Sequence, residues 1–209
     1  MSGITKTLIA IGLLLVTVIG GFVYKLHRAQ AEPEISALLY PTPKLLPEFN
    51  LVNHKGESFS RDQLLGQWSI VFFGYTFCPD ICPTTMATLS TIMKDVPADV
   101  SAKVQVVFVS VDPERDSVER LSNYVPFYNP EFIGTTGTDE QLKIISMAVG
   151  AVYLKMPMGD SYQMQHTGRI FIIDPNGRRF GIFADDNNVP GTLNAQQIKQ
   201  DLISIVRRY

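Results

Sequence analysis

The 209-residue sequence predicts a three-layer α/β domain. Three observations lead there. Continuous apolar runs of strand length recur at "WSIVFFGYT", "KVQVVFVSVD" and "RIFIID", which begin at Trp68, Lys103 and Arg169. Segments with helical periodicity and N-terminal caps lie between them. A last pair of strands turns back on Pro175, Asn176 and Gly177.

Taken in chain order, residues 7–26, "TLIAIGLLLVTVIGGFVYKL", carry one charge, Lys25. As a helix this run spans about 30 Å, enough for one transmembrane crossing. Ala29-Gln30-Ala31 has the small-x-small pattern of a signal-peptide cleavage site. The apolar run is longer than a signal peptide's, and Lys25, His27 and Arg28 separate it from that pattern. The sequence therefore favours an uncleaved anchor over residues 1–28. Either outcome exports the rest of the chain. Lys6 on one side balances Lys25 and Arg28 on the other closely enough that charge does not set the orientation. No Arg- and Ser-rich transit segment precedes the run, which points to a bacterial membrane.

Residues 29–48 contain Pro33, Pro41, Pro43 and Pro47. Prolines at that density argue against helix and sheet, so a proline-rich extended tether is expected there, with the folded domain occupying 49–209. "FNLVNHKGESFS" then predicts an N-terminal β-hairpin around a polar turn ending in Gly56. After the Trp68 strand, Pro83 suits the first position of a helix reaching about Lys94. Asp116 with Glu119 predicts a capping box for a helix carrying Val118, Leu121 and Val125. Thr138 with Gln141 predicts another, ahead of Leu142, Ile145 and Val149. Asn194 with Gln197 opens the last helix, which ends in Arg207 and Arg208, favourable at a helix C-terminus.

The formal net charge is −2 with no basic cluster, so nucleic-acid binding is not expected. The only two cysteines, Cys78 and Cys82, stand in "GYTFCPDICPTT" at the C-terminal end of the first central strand, where open α/β sheets place their chemistry. Such a pair is a structural disulfide, a dithiol redox couple or part of a metal site. A disulfide closing so short a loop stabilises little. Redox and metal roles both stay open from the residues alone.

Three stretches, "FGYTFCPDICP", "SVDPERD" at 110–116 and "HTGRIFIIDPNG" from His166, are together similar to the Sco/SenC family of copper chaperones. The likeness covers about residues 45–209 and is highly specific because three spaced motifs carry it. The resemblance implies a thioredoxin-like three-layer fold with an N-terminal β-hairpin, preceded by one transmembrane helix. It implies copper, as Cu(I) or Cu(II), held by Cys78, Cys82 and His166. It also implies delivery of that copper to the binuclear centre of cytochrome c oxidase subunit II, from a single-pass protein of the bacterial inner membrane whose domain faces the periplasm. A periplasmic copper chaperone or a thiol reductant is implied as a further partner. The alternative is a thiol–disulfide reductase with Cys78 and Cys82 as its redox pair. Where the family most often has Asp before the histidine, this chain has Gln165, so no carboxylate stands at that point.

The residue chemistry agrees. Thiolates select Cu(I), and imidazole suits both oxidation states of copper. A helix beginning at the second cysteine lowers thiol pKa and favours the ligating thiolate. Pro79 and Pro83 stiffen the segment. Tyr75 and Phe77 are expected to wall the site, and Asp80 to form a local turn. Asp112, Arg115 and Asp116 fall on a loop near the cysteines, as orienting groups or as helix-cap structure. Met156, Met158 and Met164 offer soft thioether sulfur close to His166, or simply pack. His54 in its turn is expected to be solvated and His27 to be interfacial.

Overall fold

The computed structural model describes residues 3–29, 34–183 and 194–209. The chain divides into two compact units, Met1–Glu34 and Ile35–Tyr209. In the first, α1 (Gly3–Ala29) is one continuous helix whose described apolar side chains, Ile11, Leu14 and Phe22 among them, are exposed. Among the described residues no helix is long and apolar enough to cross a membrane. The expected spanning segment takes in side chains outside the described set, as does the Ala29-Gln30-Ala31 pattern.

The second unit is built on an eight-stranded sheet. Its strands are β1 (Leu38–Leu45), β2 (Asn50–Asn53), β3 (Ser58–Ser60), β4 (Trp68–Gly74), β5 (Val104–Ser110), β6 (Ile133–Thr136), β9 (Ile170–Ile173) and β10 (Arg178–Ile182), in the order β1-β10-β9-β4-β5-β6-β2-β3. A separate two-stranded sheet pairs β7 (Tyr153–Met158) with β8 (Ser161–His166). The helices are α2 (Ile81–Asp95), the short α3 (Ala98–Ser101), α4 (Val118–Tyr128), α5 (Asp139–Val149) and α6 (Ala195–Arg208), with one 3-10 turn at Arg61–Leu64. Every residue of β4 is buried, so both faces of the sheet are covered there, as the unbroken apolar run requires. α2 packs on α4 and α6, and α5 packs on β2.

The three apolar runs, the hairpin and the four longer helices of this unit form where expected, and several details differ. The tether expectation is corrected over 38–45. Pro41 and Pro43 do not exclude sheet there, because β1 is an edge strand and both prolines fall where its register with β10 shifts, between Leu39 and Lys44. Leu46 is buried and donates its N–H to the Gly177 carbonyl. Pro83 is the third residue of α2 rather than the first. Ser117, not Asp116, caps α4 and accepts from the Arg120 N–H. Thr138 caps α5 as expected, while the Gln141 side chain accepts from the Asn50 N–H and ties the helix to β2. His54 is buried rather than solvated. Its Nδ1 accepts from the Gly134 N–H at 3.0 Å, and burial lowers its pKa. The side chain of His27 lies outside the described residues.

This topology positions the chemistry. β4 and β5 run parallel, so the loops after Gly74 and Ser110 emerge at one edge of the sheet. β9 runs antiparallel to β4 and places Ile170 opposite Phe72. The segment just before β9 therefore begins at that same edge, and His166 is in it.

Candidate metal centre

The cysteine loop is tied down on both sides. The Val111 N–H donates to the Gly74 carbonyl at 2.9 Å, which joins the ends of the two central strands. Asp116 is fully buried. Its side-chain oxygens accept from the Thr76 N–H at 2.9 Å, the Thr76 hydroxyl at 2.6 Å and the Ser110 hydroxyl at 2.6 Å. The Thr76 oxygen in turn accepts from Arg120 Nε. Thr76 stands two residues before Cys78, so this cluster sets where the loop departs from the strand. The Cys78 N–H then donates to the Tyr75 carbonyl at 3.2 Å and closes a turn.

α2 starts inside the motif. Its N-cap residue, Asp80, makes no side-chain cap. The Cys78 sulfur stands in, accepting the Cys82 N–H at 3.5 Å. Cys82 sits in the first turn, buried, with its sulfur packed over Gly74. A β-carbon on Gly74 would lie 2.8 Å from that sulfur and 2.8 Å from the Phe108 ring. Absence of a side chain at residue 74 thus makes room for Cys82.

His166 closes the group. Its Nε2 is 3.3 Å from Cys82 Sγ, and its Nδ1 is 3.3 Å from the Thr167 carbonyl oxygen. A carbonyl only accepts, so the second contact is a hydrogen bond when Nδ1 carries a proton; Nε2 faces the sulfurs. Phe72 and Tyr75 meet the imidazole edge-on, with centroids at 6.0 and 5.8 Å. The ligand atoms of Cys78, Cys82 and His166 all lie within 4.8 Å of one another. Both cysteines are free thiols.

The two thiols differ in acidity. The Cys82 hydrogen bonds, with help from His166, pull Cys78 down to about 4, against the burial that opposes it. Cys82 is pushed strongly up, by its bond to Cys78 and by burial. The two sulfurs therefore titrate as a coupled pair, with Cys78 the more acidic partner and Cys82 beside Nε2. Two sulfurs and one neutral imidazole nitrogen form a soft donor set suited to Cu(I), Cu(II) or Zn(II). The same asymmetry, an accessible thiolate beside a buried thiol, also suits dithiol exchange.

Other expected residues fall as follows. Tyr75 is buried against His166, whereas Phe77 is half exposed beneath Arg120 and Arg115, with guanidinium carbons 3.9 and 4.8 Å from its ring centre. The β7–β8 register turns Met156 and Met158 to the face opposite His166; Met164 shares the histidine's face and is buried. The structure does not bring Met156 and Met158 to the sulfurs. Asp112 and Arg115 face the β7–β8 hairpin, which sequence reasoning missed altogether. A Gly159-Asp160 pair flanked by extended residues was the available signal, and Gly159 does take a positive φ of 58° at the turn. Gly74 was missed as well; one glycine at a strand end has no periodicity to flag it.

Comparison with known proteins converges on one family. Residues 40–202 match the SCO1/SenC family model. The chain is 34% identical over 128 residues to the mitochondrial SCO1 homolog 1 of Arabidopsis thaliana, which covers 61% of this chain and 38% of that longer protein. It is 32% identical over 148 residues to an SCO2-like protein of Rickettsia conorii, across 69% of this chain and 72% of the relative. The fold superimposes on the crystal structure of Arabidopsis thaliana ScoI with copper bound, with a TM-score of 0.68 and 29% identity, over 79% of this chain and 99% of that one.

Proposed function

Because the chain belongs to the SCO1/SenC family, we propose that it is a membrane-anchored copper-binding metallochaperone whose metal is held by Cys78, Cys82 and His166. The observation that carries this reading is the convergence of two sulfurs and one imidazole nitrogen within 4.8 Å, from segments far apart in sequence. A solved structure of a related ScoI holds copper. The metal is cargo. Cys78 offers a ready thiolate, Cys82 gives up its proton on ligation, and His166 supplies the nitrogen. Delivery to the binuclear centre of cytochrome c oxidase subunit II would proceed by ligand exchange, sulfur for sulfur. The apolar run at 7–26 is read as a single crossing of a bacterial inner membrane, with the domain on the periplasmic side, where a membrane-bound recipient is within reach.

A second reading is favoured by one observation, the unequal exposure of the two free thiols, Cys78 half-buried and Cys82 buried. It makes the protein a thiol–disulfide reductase, Cys78 attacking and Cys82 resolving, on the oxidase subunit's cysteines or on other periplasmic proteins. One experiment separates the two. Cu(II) is added to the reduced full chain in detergent and the absorption spectrum recorded. The metallochaperone reading expects a sulfur-to-copper charge-transfer band that Cys78→Ser, Cys82→Ser and His166→Ala each abolish or shift. Oxidised protein with free metal, and dithiol exchange unaffected by His166→Ala, would establish the reductase instead.

A further inference from the structure

His166 is the one ligand outside the loop and helix that follow β4. It ends β8, and the β7–β8 hairpin makes no ladder with the eight-stranded sheet. Beyond its short link to β9, its position depends on side-chain ties between the hairpin and the body. Two of these lie in solvent: Lys155 Nζ to Glu114 at 2.6 and 2.7 Å, and the Tyr153 hydroxyl to Asp139 at 2.8 Å. Exposed ties of this kind hold weakly.

The third tie is protected. Asp112 is buried and accepts the Tyr162 hydroxyl at 2.7 Å and Arg115 Nε at 2.5 Å. Arg115 Nη1 donates to the Tyr162 carbonyl at 3.0 Å. The Arg115 guanidinium also sits among rings, with its central carbon 3.7 Å from the Tyr162 centroid, 4.8 Å from Phe77 and 5.7 Å from Tyr75. One side chain thus touches both halves of the site. Tyr162 belongs to the strand that ends in His166. Phe77 precedes Cys78, and Tyr75 supplies both the carbonyl that Cys78 bonds and the ring edge against the imidazole. Arg115 Nη2 is buried without a hydrogen-bond partner, so the group keeps its place at a cost that its other contacts must offset.

We infer that Arg115 is the positioning residue that fastens the hairpin to the cysteine loop and so keeps His166 within bonding distance of the two sulfurs. The inference rests on the copper reading above. A flat guanidinium is needed: the ammonium of lysine has no planar face to lie between rings and no rigid fork to span Asp112 and the Tyr162 carbonyl. With Arg115 removed, the hairpin keeps its own ladder, the Tyr162–Asp112 bond and the buried Met164, but it loses the clamp onto Phe77 and Tyr75, and the imidazole strays from the sulfurs while both sulfurs stay.

The test uses the reduced full chain in detergent with Cu(II), read by metal affinity and by the nitrogen hyperfine coupling of the bound ion. Arg115→Gln and Arg115→Lys are each expected to weaken Cu(II) binding by about 10- to 100-fold. Each is also expected to lose the nitrogen coupling as His166→Ala does, while the sulfur charge-transfer absorption persists. Tyr162→Phe keeps the ring and loses only the hydroxyl, so its affinity falls less; it carries the test if the Arg115 variants fail to fold. Wild-type nitrogen coupling and affinity within about twofold in the Arg115 variants, beside a clear loss in His166→Ala, overturns the inference and leaves the copper reading intact. No loss in His166→Ala sinks both together.

Discussion

His166 Nε2 lies 3.3 Å from Cys82 Sγ across a separation of 84 residues. The contact exists because β9 lies antiparallel beside β4, which returns the chain to the edge where β4 releases the cysteine loop. Neither residue is placed by its own neighbours alone. Cys82 is set by the start of α2 and the space over Gly74, and His166 by the hairpin it terminates.

The acidity split gives a direct chemical expectation for the metal-free, reduced protein. Cys78 is held at about 4, far below its ordinary 9.0, and Cys82 is raised above it. Alkylation at mildly acid pH should label Cys78 and spare Cys82, as read by peptide mass. Because the folded value of Cys78 is depressed, its thiolate contributes stability that is complete above about pH 9 and lost as pH falls toward 4. Cys82 acts in the opposite sense: above about pH 9 its unfolded thiol ionises while the folded one does not, and stability declines. Equal labelling of both cysteines at mildly acid pH would refute the assignment.

Gly74→Ala should disturb the site from beneath. The added methyl meets the Cys82 sulfur and the Phe108 ring at 2.8 Å each, so one of them must move. Overpacking of this kind costs about 1–3 kcal/mol. Denaturant unfolding should show that loss, and copper affinity should fall with it. An affinity equal to wild type would mean that the sulfur has room to spare.

Asp116→Ala removes the acceptor for three donors at once, the Thr76 N–H, the Thr76 hydroxyl and the Ser110 hydroxyl. Leaving buried donors unpaired in this way should cost about 3 kcal/mol, seen as a lower denaturation midpoint. Asp116→Asn, which keeps one acceptor oxygen, should recover part of it. A midpoint unchanged in Asp116→Ala would show that water replaces the carboxyl oxygens.

The start of the domain can be tested by truncation. A chain beginning at residue 49, where the apolar pattern first suggests folded structure, lacks β1 and Leu46; one beginning at residue 35 keeps both. Burial of Leu46 alone is worth about 2 kcal/mol. With the loss of the β1–β10 ladder, the shorter chain should melt about 5–10 °C below the longer. Equal melting temperatures would restore 35–48 to the tether.

What could be read in the chain, and what could not, divides by the range of the interaction. The runs at Trp68, Lys103 and Arg169 announce buried strands because each position contributes apolar area whatever surrounds it. Thr138 and Asn194 announce helix starts because a cap is satisfied within three residues. The cap of α4 is ambiguous by one residue in the sequence because Asp116 looks as able to cap as Ser117; only the burial of Asp116 beside Thr76 shows that it is occupied elsewhere. β1 is not legible in the chain because proline disfavours sheet in general, while an edge strand needs only some of its N–H groups.

The sequence by itself determined the two cysteines' spacing at a strand end, the α/β alternation and a histidine ahead of the third strand, since these follow from local composition and periodicity. Tertiary structure alone decided that the imidazole reaches the sulfurs, that one thiol is acidic and the other is not, and that Arg115 bridges hairpin and loop. Each of those depends on groups distant in the chain being brought within a few ångströms, and hydrogen bonding and desolvation act only at that range.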